Sequence, residues 1–191
     1  HVWDASTEAG PGASATRRPP LFRLTGHDGA VFAIAWCART DAIASVSDDR
    51  RVCVWHVANA LAAAPGGERS DEPAEKACAA SWYAHTARVW ACCWGADRTD
   101  SGGGRDVLTT GEDGRVRVWR VGALPNGVAP TARGALGAGV CNARVDGAEM
   151  LAELAGHAGK HVWCVAVDPA GRHVVSGGAD GSVKVWPAPA A

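Results

Sequence analysis

The segment that decides the fold is L-T-T-G-E-D-G-R-V-R-V-W, residues 108–119. After Gly114, valine and tryptophan alternate with arginine, and this period of two is typical of a half-buried β-strand. Gly114 precedes that strand, and glycine adopts positive φ at little cost, as a tight turn between strands requires. The segment therefore predicts two antiparallel strands joined by a short turn.

Equivalent segments occur at residues 44–55 and 175–186. In each, a hydroxyl residue lies four positions before an aspartate and a tryptophan six positions after it, while a histidine precedes the aspartate by 22, 28 or 23 positions. The three sets, called tetrads below, are His27, Ser45, Asp49 and Trp55; His85, Thr109, Asp113 and Trp119; and His157, Ser176, Asp180 and Trp186. Only the loop length varies, which indicates a structural unit repeated three times.

The tetrads allow a structural and a catalytic interpretation. A buried histidine can be satisfied by an aspartate on one nitrogen and a hydroxyl on the other, with the hydroxyl also accepting the indole N–H. Serine, histidine and aspartate could instead form a nucleophilic triad. A catalyst needs one such site rather than three, and the chain has no G-x-S-x-G elbow, so the structural interpretation is favoured and no catalytic residue is predicted.

The three segments resemble WD repeats, each of which contributes a four-stranded blade of a β-propeller. The resemblance implies an all-β fold, a partial WD-repeat β-propeller with two complete four-stranded blades plus two partial blades across residues 1–191. The repeat units are expected at about residues 21–57, 79–121 and 150–187. From the inner strand a to the outer strand d, we predict strands at 31–36, 42–47, 51–56 and 79–83; 89–94, 106–110, 115–120 and 150–154; and 162–167, 172–177 and 182–186, with residues 21–25 as strand d of a truncated first blade.

Three segments interrupt the repeats and are expected to be low-complexity surface insertions, at about residues 58–77, 97–105 and 122–148. In the first repeat Arg50 and Arg51 follow the tetrad aspartate without a glycine, which predicts a different turn geometry there. Val2-Trp3-Asp4 looks like the end of a preceding repeat, and a propeller needs about four to eight blades. We therefore expect the native protein to continue on both sides.

Composition excludes several functions. The chain of 191 residues has 19 basic and 20 acidic residues, so it lacks the basic excess typical of nucleic-acid binders. Seven cysteines without a C-x-x-C arrangement argue against a disulfide framework and a zinc site, and no cofactor is expected. Five of them are predicted to be small core residues: Cys37, Cys53, Cys92, Cys93 and Cys164. Neither a signal peptide nor a membrane span is evident, which favours a cytoplasmic protein.

Four pieces of sequence exceed the generic WD pattern: S-V-S-D-D-R at 45–50, A-H-T-A-R-V-W-A-C-C at 84–93, T-G-E-D at 110–113 and G-H-A-G-K-H-V-W at 156–163. Together they resemble the WD-repeat partner subunit of the transfer-RNA 2′-O-ribose methyltransferase that acts at the wobble nucleotide. The resemblance implies an accessory scaffold that binds the methyltransferase, with contact to transfer RNA weak or indirect. The alternative is a WD-repeat adaptor in ubiquitin ligation, trafficking or signalling. A hydrolase or metal enzyme is the least favoured of the three functions.

A candidate partner surface follows from the a strands. Phe32, Trp90 and Trp163 occupy equivalent positions, and the uneven spacing of apolar residues around them predicts a β-bulge that turns each ring toward the propeller's narrow face. Charged residues are expected beside the rings: Asp48, Arg88, Glu112 and His161. Aromatic rings with flanking charges and arginine are typical of interface hot spots. The alternative is that the rings fill space between blades.

Overall fold

The computed structural model describes residues 23–37, 39–57, 78–96, 105–122 and 148–189. These residues contain eleven strands: β1 (Val31–Cys37), β2 (Ala42–Ser47), β3 (Arg51–His56), β4 (Cys78–Tyr83), β5 (Val89–Trp94), β6 (Arg105–Gly111), β7 (Arg115–Val121), β8 (Ala148–Ala155), β9 (Val162–Val167), β10 (His173–Gly178) and β11 (Val183–Pro187). The strands form three antiparallel sheets in the orders β1-β2-β3-β4, β5-β6-β7-β8 and β9-β10-β11. We call these sheets blades 1, 2 and 3.

The all-β architecture and the two complete blades are confirmed, and the last blade has the predicted a, b and c strands. The ends of the eleven strands agree with the predictions within two residues. β6 begins one residue and β8 two residues earlier than expected, so Arg105 and Ala148 are strand residues rather than loop. The predicted strand at 21–25 is not formed in its described part, where Arg23 makes an isolated bridge and Leu24 and Thr25 lie in no strand. The three insertions otherwise lie outside the described residues, apart from Gly122 at the end of blade 2.

The core consists of layers between the blades. Val52 and Val54 of blade 1 pack with Val89 and Cys92 of blade 2. Val116 and Val118 of blade 2 are equally buried against Val162 of blade 3. The c-strand valines of blades 1 and 2 are thus covered by the a strand of the following blade. They lie on one face of their sheet because alternate side chains of a strand point the same way.

The equivalent valines of blade 3, Val183 and Val185, are 73% and 65% exposed. Cys164 is exposed as well, so its prediction as a core residue is wrong. Within the described residues no further sheet covers this face of blade 3, which is why small apolar side chains there remain accessible. Cys37, Cys53 and Cys92 are buried, and Cys93 is half-buried in the layer between blades 2 and 3.

All three a strands contain the predicted β-bulge. The pairing register shifts between Val31 and Ala33 in β1 and between Val89 and Ala91 in β5. In blade 3, Gly177 pairs with Cys164 and Gly178 with Val162, which leaves Trp163 as the extra residue. Phe32, Trp90 and Trp163 are therefore the bulged residues, and their rings leave the ordinary alternation of the strand.

The turn between the b and c strands has the same backbone geometry in all three blades. Arg50 adopts a φ of 70°, beside 77° for Gly114 and 75° for Gly181. The prediction of a different turn without glycine is therefore wrong: the arginine takes the left-handed conformation itself. The Arg50 guanidinium lies 5.5 Å from the centroid of the Tyr83 ring, a cation–π contact that offsets part of the backbone cost.

Candidate interaction site

The structure joins the four residues of each tetrad by hydrogen bonds. In blade 2, Nδ1 of His85 lies 2.8 Å from Asp113 and Nε2 lies 2.8 Å from the Thr109 hydroxyl, which accepts the Trp119 indole N–H at 3.0 Å. The same series of hydrogen bonds, from aspartate through histidine and hydroxyl to tryptophan, occurs in blade 1 and in blade 3. Each tetrad fixes the loop that contains its histidine onto the b and c strands, because the histidine is held from both ring nitrogens.

The tetrad hydroxyls are in no position to act as nucleophiles. Ser45, Thr109 and Ser176 are 4%, 0% and 1% exposed, and each already accepts an indole N–H. A nucleophile must reach a substrate carbonyl or phosphorus, and a buried hydroxyl held on two sides does not. Among the described residues, no three His, Cys, Asp or Glu side chains are grouped as metal ligands. Nor does any described segment form a helix long and apolar enough to cross a membrane.

Blade 2 contains an additional buried cation that sequence analysis missed. Arg117 donates from Nη1 to Asp113 at 2.8 Å and to the carbonyl of Ala84 at 2.8 Å, and its Nη2 lies 2.8 Å from Glu153. The equivalent residues are Cys53 and Lys184, so the repeat pattern contains no signal for an arginine at this position. The second tetrad is thereby extended into a network that reaches the outer strand β8.

The pKa values of His27 and His85 shift in opposite directions. Burial alone would lower the pKa of His27, but the interactions with Asp49 and Cys53 together outweigh burial and raise the pKa above the usual value. Burial lowers the pKa of His85 despite the opposing effect of Asp113, and the positive charge of Arg117 lowers it further. The pKa of Asp113 is in turn held well below its usual range by His85 and Arg117, although burial opposes this.

Two glycines permit the close approach of the tetrad histidines. A Cβ at Gly111 would lie 2.3 Å from Nδ1 of His85, and one at Gly178 would lie 2.5 Å from Nδ1 of His157. These distances are far below van der Waals contact, so in blades 2 and 3 a larger residue would require the histidine or the backbone to shift. Blade 1 has Ser47 at this position, and its hydroxyl instead accepts the backbone N–H of Asp49 at 3.1 Å.

The three bulged aromatics form one continuous series across the blades. The ring centroids of Phe32 and Trp90 are 4.7 Å apart, and those of Trp90 and Trp163 are 4.9 Å apart. The His161 ring stacks on Trp90 at 6.2 Å and lies 5.1 Å from Trp163. Phe32 and Trp163 are 40% and 47% exposed, whereas Trp90 between them is half-buried. The outer rings therefore face solvent while the middle ring also fills space between blades.

The four charged residues named from the sequence also meet. Arg88 of blade 2 donates from Nε to Asp48 of blade 1, and its Nη1 lies 3.9 Å from Glu112. Nε2 of His161 in blade 3 lies 3.8 Å from the same Glu112 oxygen. A row of side chains thus crosses all three blades, in which the two acids alternate with an arginine and a histidine: Asp48, Arg88, Glu112 and His161. We call this row, together with Phe32, Trp90 and Trp163, the aromatic surface.

Comparison with known families agrees with this geometry. The model of the WD domain, G-beta repeat, matches residues 18–56, 76–120 and 148–187, which is more than half of the chain. The chain belongs to the WD-repeat family. No curated protein matches it in a sequence comparison. WD-repeat domains generally serve as scaffolds for protein–protein interaction, and the exposed aromatic and charged side chains described above suit that role.

Proposed function

We propose that this WD-repeat scaffold is the accessory subunit of a transfer-RNA 2′-O-ribose methyltransferase that acts at the wobble nucleotide. In this role the chain binds the methyltransferase in the cytoplasm and performs no catalysis itself. The four sequence pieces that exceed the generic WD pattern are the basis of the proposal. They are separated by up to about a hundred residues in the chain, and the sequence predicts that they share a face of the propeller but not that their side chains touch.

One structural observation carries the proposal. Each of the four pieces contributes a residue to the aromatic surface: Asp48, Arg88 with Trp90, Glu112, and His161 with Trp163. Residues whose role is only to stabilise a blade would be expected in its buried interior, where the tetrads lie. Features that distinguish this chain from a generic WD repeat instead converge on one partly exposed surface, which supports a specific partner.

The charge of the chain supports a protein rather than RNA as the main partner. The formal net charge is −1, and the aromatic surface holds two carboxylates against one guanidinium. Nucleic-acid binding depends on cations that replace counterions along the phosphate backbone. We therefore expect transfer RNA to bind this chain weakly and to be released readily by salt, so that RNA is contacted mainly through the methyltransferase.

The proposal is tested in cells that lack this protein. Ribose methylation at the wobble nucleotide should be lost, and the intact protein should restore it together with a complex that contains the methyltransferase. As a control, the methyltransferase level should be unchanged. Intact wobble methylation without the protein would refute the accessory role and leave an adaptor function in ubiquitin ligation, trafficking or signalling.

A further inference from the structure

The aromatic surface ends in blade 3 at an exposed ring beside an acid. Trp163 is the most exposed of the three aromatics, and its ring centroid lies 5.1 Å from that of His161. His161 in turn lies 3.8 Å from a carboxylate oxygen of Glu112. An indole face and a carboxylate are thus separated by a single imidazole ring.

Glu112 retains the capacity to accept hydrogen bonds. Its side-chain contacts with Arg88 and His161, at 3.9 Å and 3.8 Å, are too long for hydrogen bonds. Its side chain is 28% exposed, and Arg88 makes its short contact with Asp48 instead. The carboxylate is therefore partly exposed and keeps lone pairs for a further donor, although Arg88 and His161 lie within 4 Å of it.

The aromatic surface as a whole holds more carboxylates than guanidinium groups. Asp48 and Glu112 supply two carboxylates against the single guanidinium of Arg88, and the position in blade 3 that corresponds to them is Ala179. An incoming cation is attracted by this balance and by the negative face of an indole ring.

We propose that the aromatic surface binds an arginine side chain of its protein partner, with the guanidinium over the Trp163 indole and donating to Glu112. A guanidinium is planar and carries several N–H groups, so it stacks on a ring and donates in its plane at the same time, which an ammonium group does not. This inference names the chemistry of the partner and therefore rests on the proposed protein-binding role. An exposed indole also stacks on nucleobases, but Asp48 and Glu112 would repel the adjoining phosphates.

The test uses N-acetyl-arginine N-methylamide as the probe and the indole N–H resonance of Trp163 as the readout. The probe should shift this resonance, while its citrulline analogue, which has nearly the same shape without the charge, should bind at least about threefold more weakly. Glu112→Gln should weaken binding of the arginine probe by about threefold to fivefold. Trp163→Leu, followed through the indole N–H resonance of the neighbouring Trp90, should weaken it to a similar extent. Glu149→Gln is the matched control, because Glu149 is exposed on the outer strand β8, and it should change nothing.

Equal binding of the citrulline analogue, or an unchanged affinity in Glu112→Gln, would overturn the inference. An anticodon stem-loop RNA that shifts Trp163 more strongly in Glu112→Gln than in the wild type would overturn it in favour of a base-stacking surface. In the complex with the methyltransferase, Glu112→Gln should raise Kd by the same factor as for the probe. Absence of that complex in the wild type would refute the proposed accessory function alone, because the arginine probe is measured without the enzyme.

Discussion

At the residue scale, the sequence predicts some of the contacts that the tetrads make and does not predict others. The repeated spacing predicts which histidine meets which aspartate and hydroxyl, because a polar set that recurs three times must serve the unit that recurs. It contains no information on Arg117, whose counterparts are Cys53 and Lys184, or on the contact that Gly111 permits with His85. Such features depend on the exact distance between side chains in one blade.

Asp113→Ala removes the acceptor that holds both His85 and Arg117. Because the change leaves the buried imidazole of His85 without its carboxylate and leaves Arg117 with Glu153 as its one remaining carboxylate partner, we expect the free energy of unfolding to fall by roughly 2 to 4 kcal/mol. Thermal or denaturant unfolding of the intact protein measures this loss. Asp28→Ala is the control, since the Asp28 side chain is 77% exposed and its removal should cost at most about 0.5 kcal/mol. An unchanged midpoint for Asp113→Ala would contradict the structural role of the tetrad.

The two histidines should respond differently to pH. His27 has a raised pKa, so its contribution to stability is complete below about pH 6.5 and is lost as the pH rises through the folded-state value. His85 is held neutral, so its contribution is present above about pH 6.5 and is lost on acidification. Asp113, with a lowered pKa, also loses its contribution as the pH falls through its folded-state value. Titration of the imidazole Cε1 resonances should therefore show the pKa of His27 above and that of His85 below the ordinary histidine value. Coincident titrations would contradict the opposite shifts that we assign to the two sites.

At the element scale, strand positions follow closely from the alternation of apolar and polar residues. The bulges follow from the spacing around Phe32, Trp90 and Trp163, since an extra residue is the only way to keep both flanking apolar sets on their own faces. The left-handed conformation at Arg50 does not follow from the sequence, because residues other than glycine disfavour a positive φ. The fixed register of β2 and β3 and the contact with Tyr83 outweigh that preference.

Gly181→Ala isolates the backbone cost of this turn. A Cβ at Gly181 would meet no atom within 4 Å, while φ is +75°, so the expected loss of about 1 kcal/mol comes from the left-handed conformation alone. Denaturant unfolding checks the value. Gly122→Ala is the control: that position is equally open, but its φ is not in the left-handed region, and the change should have little effect. A Gly181→Ala protein as stable as the wild type would show that the turn tolerates a side chain without strain.

At the scale of the whole molecule, three stacked blades bring residues that are far apart in the chain to one surface. Phe32, Trp90 and Trp163 belong to three different blades, yet neighbouring ring centroids are less than 5 Å apart. The sequence predicts that these residues are equivalent but not that they touch, because the distance between a strands depends on how the blades pack. Trp90 also shows that the two interpretations of the rings are not exclusive, since it is half-buried between two exposed neighbours.

The central claim is that the aromatic surface binds a protein partner without being required for the fold. The most direct measurement is the affinity of the methyltransferase for Trp163→Ala beside the thermal midpoint of the same variant. Because Trp163 is 47% exposed, the account predicts a loss of affinity of roughly tenfold or more with a shift in midpoint of at most a few degrees. Unchanged affinity, or a large loss of stability that accounts for the weaker binding, would contradict it.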